Sequence, residues 1–294
     1  MKRLALLLVL VASPVYADEP WIVFGSFRGG DFSSSIHAIR PDGTGERELS
    51  THLAGYPASL DPWTMPDAEL IVFSRGGSNN KTSVWLLDPA SGDEEQVTGL
   101  VMTRFKSGRA WPSMRPDTYV LTFVQEGANE RRITMQEWPG EIQVDLGPGE
   151  YPSWSPNGEK LAFERDGAVW IHDFDTGLVK PVEADLTAVG FPAWAPDGET
   201  LLVVGADGPI VDLYELSLSG EVVRRLTETP DVDENAPAWS PDGRYIAFAA
   251  DSSDPKDGWQ KSIYVLDVEA GETREVTTGE FNDTRPTWAE KLPK

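Results

Sequence analysis

The 294-residue chain contains no cysteine. That absence excludes disulfides, thiolate metal sites, cysteine nucleophiles and a lipid-anchored N-terminal cysteine. A chain of this length buries enough surface to fold without such staples. Basic residues are also scarce, with 25 Lys and Arg against 48 Asp and Glu and a formal charge of -23. Nucleic acid is therefore not an expected partner, because phosphate binding needs basic patches that release counterions. The acidity suits solubility in the periplasm or a salty habitat; its sharper alternative is a partner with a basic face. Histidine is limited to His37, His52 and His172, and neither an HExxH pattern nor a GxSxG serine elbow occurs. Long apolar runs are confined to the start of the chain. There MKRLALLLVLVASPVYA places Lys2 and Arg3 before an apolar stretch from Leu4 to Val11 and a small-residue end at Ala17. This reads as a secretory signal over 1–17, too short to span a membrane. The mature protein is expected to begin near Asp18 as a soluble, periplasmic or secreted monomer that does not span the membrane. Losing Lys2 and Arg3 would take the charge from -23 to -25.

What the chain does have is a recurring phrase. YPSWSPNGEKLAFE (151–164), FPAWAPDGETLLVV (191–204) and APAWSPDGRYIAFA (236–249) place tryptophan at Trp154, Trp194 and Trp239, and RPTWAE adds Trp288. WPSMRPDTYVLTFV (111–124) carries Met114 in the tryptophan slot, and YPASLDPWTMPDAELIVFS (56–74) is a looser copy with a stretched first strand. A second phrase lies between the copies: IHAIRPDG, VWLLDPASG, ITMQEWPG, VWIHDFDTG, LYELSLSG and IYVLDVEAG, each leading into a more polar strand. Self-similarity at this period marks a repeat architecture. The apolar runs LIVF (70–73), VLTFV (120–124) and YIAFAA (245–250) are β-branched or aromatic and of strand length. The PDG and PNG turns supply proline to preset φ, a side chain that bonds its own backbone, and glycine for positive φ. The sequence thus predicts an all-β fold: a six-bladed β-propeller of four-stranded antiparallel blades. WIVFGS (21–26) lacks a first strand and RPTWAE lacks the rest of a blade, so one blade is expected to be shared by the two ends. That device hides an open sheet edge and makes 18–294 a single domain.

The phrase PxWSPDGxxIAF, followed by IYVxD, a glycine turn and a closing LT or VT, resembles the TolB-type propeller repeats over Trp21 to Trp288. The resemblance implies a six-bladed propeller, and for TolB itself a periplasmic partner role in the Tol-Pal envelope system. Only Asp18, Glu19 and Pro20 separate the expected signal from the first propeller strand, so the N-terminal α/β domain of TolB is not expected here.

If strands alternate up and down, the PDG turns crowd one end and the variable loops 26–35, 74–83, 98–111, 228–236 and 250–261 the other. Binding favours variable loops on a rigid scaffold, so that face and its channel mouth are the expected site. Arg104, Lys106 and Arg109 concentrate positive charge in one loop that Trp111 closes, either to meet an acidic peptide or sugar or to fold back on acidic neighbours. Trp111 and Trp259 are the loop aromatics suited to ligand stacking, whereas Trp85, Trp170 and Trp194 suit packing between blades. Asn235, Asn282, Asp283 and Arg285 precede inner strands, as ligand or ion contacts or as turn residues satisfying the backbone. Asp251, Asp254, Asp257 and Gly258 are spaced wrongly for a calcium loop. Asp233 and Glu234 are the paired acids open to a propeller enzyme at the channel mouth, against which adjacent residues point in opposite directions while acid–base work needs two groups facing one bond. No catalytic residue, metal or cofactor is expected. The reading is a non-catalytic binding or scaffold protein for an envelope or secreted macromolecule; its alternative is a propeller enzyme or receptor acting on a glycan or peptide at the channel mouth.

Overall fold

The computed structural model describes residues 20–28, 33–50, 58–65, 69–77, 81–99, 101–102, 110–116, 118–127, 129–207, 211–229, 233–251 and 260–293. The expected signal over 1–17, and Arg104, Lys106, Arg109 and Trp259, lie outside them. Every regular element described is a β-strand, and no helix among these residues is long and apolar enough to cross a membrane. The β-branched and aromatic runs form the strands Ile71–Gly77, Val120–Glu126 and Tyr245–Asp251. Their phenylalanines, Phe73, Phe123 and Phe248, are fully buried.

The turns follow the predicted chemistry. Gly158, Gly198 and Gly243 have φ of 69°, 74° and 70°. Their N–H groups donate to the carbonyls of Ser155, Ala195 and Ser240. Asn157, Asp197 and Asp242 each accept a backbone N–H two residues on, from Glu159, Glu199 and Arg244. The hairpins are therefore pinned locally, and strand register follows from the turn.

Four antiparallel four-stranded sheets begin on the strands Ser113–Met114, Glu150–Trp154, Thr187–Trp194 and Asn235–Trp239. A larger sheet holds the rest of the strands, and within it Ser34 and Ala58 form a single parallel bridge. In that sheet the last strand, Asn282–Ala289, pairs antiparallel with the first, Trp21–Phe27, matching Ile22 with Trp288. Successive sheets pack through apolar faces, as where Ala162 and Val169 meet Trp194, Leu201 and Val203. The same packing joins the chain ends: Ile22, Phe24 and Ile39 share a cluster with Tyr245, Ala247, Ile263 and Trp288.

Three of the four repeated tryptophans stitch one sheet to the one before. Trp154 Nε1 donates to Thr122 Oγ1 at 3.2 Å, Trp194 Nε1 to the Ser153 carbonyl at 3.1 Å and Trp288 Nε1 to the Ala238 carbonyl at 3.0 Å. In the looser copy the slot is held by Thr64, whose Oγ1 donates to the Trp288 carbonyl. The ladder shifts register there between Leu60 and Trp63, at Asp61–Pro62.

Candidate functional site

Among the described residues seven non-glycine residues have positive φ, and six of them directly precede a proline. They are Asp61, Trp111, Tyr151, Phe191, Ala236 and Arg285, with φ between 41° and 53°. Left-handed backbone is uncommon outside glycine and costs of order 1–3 kcal/mol per residue. A following proline already disfavours the right-handed helical region for the residue before it. The ladder slips at the corresponding points, between Leu60 and Trp63, Glu150 and Ser153, Gly190 and Ala193, and Asn235 and Ala238. A bulge of this kind re-aims one side chain, and it also accommodates proline in a strand.

All six residues line one cavity of about 410 Å³. Its wall also carries the turn prolines Pro116, Pro156, Pro196 and Pro241 and the tryptophans Trp154, Trp194, Trp239 and Trp288. The cavity therefore runs from the x-Pro level to the end of the short turns.

At the base lies Arg285. Its Nε forms an ion pair with Asp61 Oδ1 at 3.0 Å, where the Asp61 side chain is 2% exposed. Its guanidinium also covers the rings of Tyr151, Phe191 and Trp111, at 4.8, 5.3 and 5.4 Å from their centroids. Those rings contact one another, Tyr151 with Phe191 at 4.1 Å and Trp111 with Tyr151 at 4.6 Å. Asp61 is held from behind by Ser74 Oγ, which donates to Oδ2 at 2.9 Å.

Next to this layer, Arg131 stacks on Trp111 and pairs with Glu150. Glu164 packs against Gly190 so closely that a Cβ there would lie 2.2 Å from its Oε2 and would displace the carboxylate. Burial, then the Glu150 charge, pushes the Glu164 carboxyl above its ordinary range; burial likewise raises the Tyr151 hydroxyl.

Of the described residues singled out by sequence as candidate contacts, Trp111 and Arg285 line the cavity together, and Asn235, Asn282 and Asp283 do not line it. Trp111 is 6% exposed and forms part of the cavity wall, not an open loop platform as expected. Asn282 accepts the Lys261 backbone N–H, and Asp283 is buried beside Ser26 and Thr277, which work against burial's upward push on its carboxyl. Asn235 opens its strand opposite Ala249. Asp233 is exposed while Glu234 is 2% exposed, so the two do face different surroundings. Asp251 pairs with Lys261 at 2.8 Å, and Asp254, Asp257 and Gly258 lie outside the described residues.

Three polar residues also meet. Ser35 Oγ lies 2.9 Å from His37 Nε2, and His37 Nδ1 lies 3.3 Å from Glu46 Oε1. The order is that of a serine–histidine–carboxylate relay, but Ser35 and His37 are each 4% exposed inside a strand and neither lines the central cavity. Glu46 is further engaged by Arg28. Ser35 and His37 lie two residues apart on one face of the strand Ser34–Ile39, and the hairpin that follows brings Glu46 to them.

The TolB beta propeller domain family matches residues 148–291. The Tol-Pal system protein TolB of Bordetella pertussis is 30% identical over 164 residues, which cover 54% of this chain and 35% of that protein. An uncharacterized peptidase, YuxL, of Bacillus subtilis is 32% identical over 77 residues, 26% of this chain and 11% of that protein. The chain thus spans about a third or less of the length of these curated relatives. Among solved structures, TolB from Acinetobacter baumannii superimposes with a TM-score of 0.76 at 18% identity, covering 94% of this chain and 67% of that one. An oligogalacturonate lyase in complex with manganese superimposes with a TM-score of 0.55 at 13% identity, covering 88% and 74%. At these identities the superpositions speak for the fold alone.

Proposed function

We propose that the chain, which is similar to the TolB beta propeller domain family over residues 148–291, is an exported TolB-like β-propeller that captures a segment of an envelope or secreted protein in its central cavity. The ring in this reading has six four-stranded blades over 18–294, one of them built from both ends. The six x-Pro positions and the pairing of Trp21–Phe27 with Asn282–Ala289 support that count and closure. The observation that carries the function is the convergence of six strained residues on one cavity. Strain held at equivalent points of every repeat marks a surface kept for contact. Proline and tryptophan walls offer rigid apolar planes to an extended peptide, and the Arg285 layer closes the base. The cavity's charged lining consists of Asp61, Arg285 and Glu290, with no histidine among the described residues, which favours binding over an enzyme acting on a glycan or peptide.

The test uses the exported protein, recovered with an N-terminus near Asp18, as bait in cross-linked envelope extract. Ser153→Trp places a large ring into the cavity from a half-buried wall position. The partner captured by the wild type should be lost from Ser153→Trp at an unchanged melting temperature. Equal capture by both proteins overturns the cavity as the site.

A further inference from the structure

The residues before the prolines do not fill the base of the cavity evenly. Trp111, Tyr151 and Phe191 come from three successive repeats, and their rings contact in that order, with centroids 4.6 Å and then 4.1 Å apart. The next repeat supplies Ala236, which has neither ring nor charge, so the stack ends there. Ala236 lies between Phe191 and Arg285. Its sheet packs on the Phe191 sheet where Ile246 and Phe248 meet Leu202 and Val204, and on the strand Asn282–Ala289 where Tyr245 and Ala247 meet Trp288. The cavity wall therefore has a notch at Ala236, with an aromatic ring on one side and a guanidinium on the other. We propose that the captured segment places one aromatic side chain in this notch, as the fourth ring of the stack. The proposal rests on the central cavity being the capture site.

The chemistry of the two neighbours selects this occupant. Stacked rings attract each other beyond the area they bury. A ring beside Arg285 also gains the attraction that its guanidinium already has for Tyr151, Phe191 and Trp111. An aliphatic side chain would fill the same space and gain neither. A charged one would be desolvated against Pro237, Ala238 and Trp239, which line this side of the cavity. The wall is also more open here than at the other repeated tryptophans. Trp239 is half-buried, whereas Trp154, Trp194 and Trp288 are 5%, 7% and 4% exposed.

The backbone at Ala236 already has the conformation that carries a ring elsewhere. Its φ of 49° matches Phe191 at 51° and Tyr151 at 52°. Ala236→Phe thus supplies the fourth ring from the protein itself and closes the notch.

The experiment selects peptides from a random-sequence display library on the full chain and measures their affinities by fluorescence anisotropy. The enriched peptides should share one Phe, Tyr or Trp. Replacing that residue with alanine should weaken binding about tenfold or more. Replacing it with cyclohexylalanine, which keeps the apolar volume and loses the ring face, should weaken binding about threefold. Ala236→Phe should melt as the wild type does and lose at least as much affinity as the alanine peptide. Ser153→Trp, which obstructs the cavity as a whole, separates the two readings. Weak binding by Ser153→Trp with wild-type affinity in Ala236→Phe overturns the notch and leaves the cavity as the capture site. Wild-type affinity in both overturns the cavity as well. No enrichment, enrichment without a shared aromatic residue, or equal binding of the cyclohexylalanine peptide also overturns the proposal. If Ala236→Phe melts below wild type, the alanine and cyclohexylalanine peptides decide the question on the wild-type protein.

Discussion

Arg285→Ala removes the guanidinium that ties the base of the central cavity together. Asp61 would lose its ion-pair partner on a side chain that is 2% exposed, while Ser74 Oγ still donates to it. Breaking a buried ion pair from one side costs about 3–5 kcal/mol, because the remaining charge stays desolvated. Three lost ring contacts, at 4.8 to 5.4 Å, would each add about 0.5–2 kcal/mol if they acted alone. They share one guanidinium and one rigid stack, so the contributions overlap and do not sum. Release of the arginine rotamers returns up to about 2 kcal/mol. The left-handed backbone at 285 is unchanged, since alanine at φ 53° is strained to the same degree as arginine. The net expectation is a loss of about 3 kcal/mol. For a domain of this size that is a fall of about 6–12 °C in melting temperature, extending the scaling of about 2–4 °C per kcal/mol for somewhat smaller domains. The assay is equilibrium urea unfolding followed by tryptophan fluorescence, supported by a thermal melt. Asp61→Asn combined with Arg285→Ala should recover about 2 kcal/mol of the sum of the two single losses, because no buried charge is left behind. A melting temperature within 1 °C of wild type for Arg285→Ala, or strictly additive single losses, would refute the account of the Arg285 layer.

Two further outcomes are expected. Burial pushes the Glu234 carboxyl up to about 7 from 4.5, against the hydrogen bonds from Thr227 and Thr229. The folded protein then holds this proton more tightly than the unfolded chain. Its contribution is full below pH 4.5 and is lost as pH rises through about 7, a change of about 3 kcal/mol. Glu234→Gln should flatten that part of the stability profile in urea titrations from pH 4.5 to 8, and an unaltered profile would exclude Glu234 as its source. Deleting residues 282–294 removes the strand Asn282–Ala289 and the buried Trp288, exposing the whole edge of Trp21–Phe27. Loss of a buried tryptophan alone costs about 3–5 kcal/mol, so the cooperative melt should collapse; an unchanged midpoint would mean that the end-to-end pairing contributes nothing.

The strands, the turns and the stitching tryptophans were legible because each depends on local chemistry. Aromatic and β-branched runs match the pleat, and a glycine four residues after the tryptophan matches the turn. The copy at 56–74 was harder to place, because Thr64 substitutes for the tryptophan and Tyr56–Pro57 competes in sequence with Asp61–Pro62 for the x-Pro slot. The contacts His37–Glu46 and Glu183–Gly220 were not legible at all. They depend on which hairpins and linkers lie side by side, and no spacing rule encodes that.

The central cavity is an intermediate case, and its signal was present in the repeat itself. Within the phrase x-Pro-x-Trp the proline is constant from copy to copy, while the residue before it changes in every one: Asp61, Trp111, Tyr151, Phe191, Ala236 and Arg285. A position that served only packing would be held to one size and polarity, as the phenylalanines of the second strands largely are. Variation at one point of an otherwise constant phrase means that the point faces something the repeat does not determine. In a ring of equivalent strands that place is the axis. There six different side chains meet one another, and an arginine can be paired with an aspartate 224 residues away in the chain.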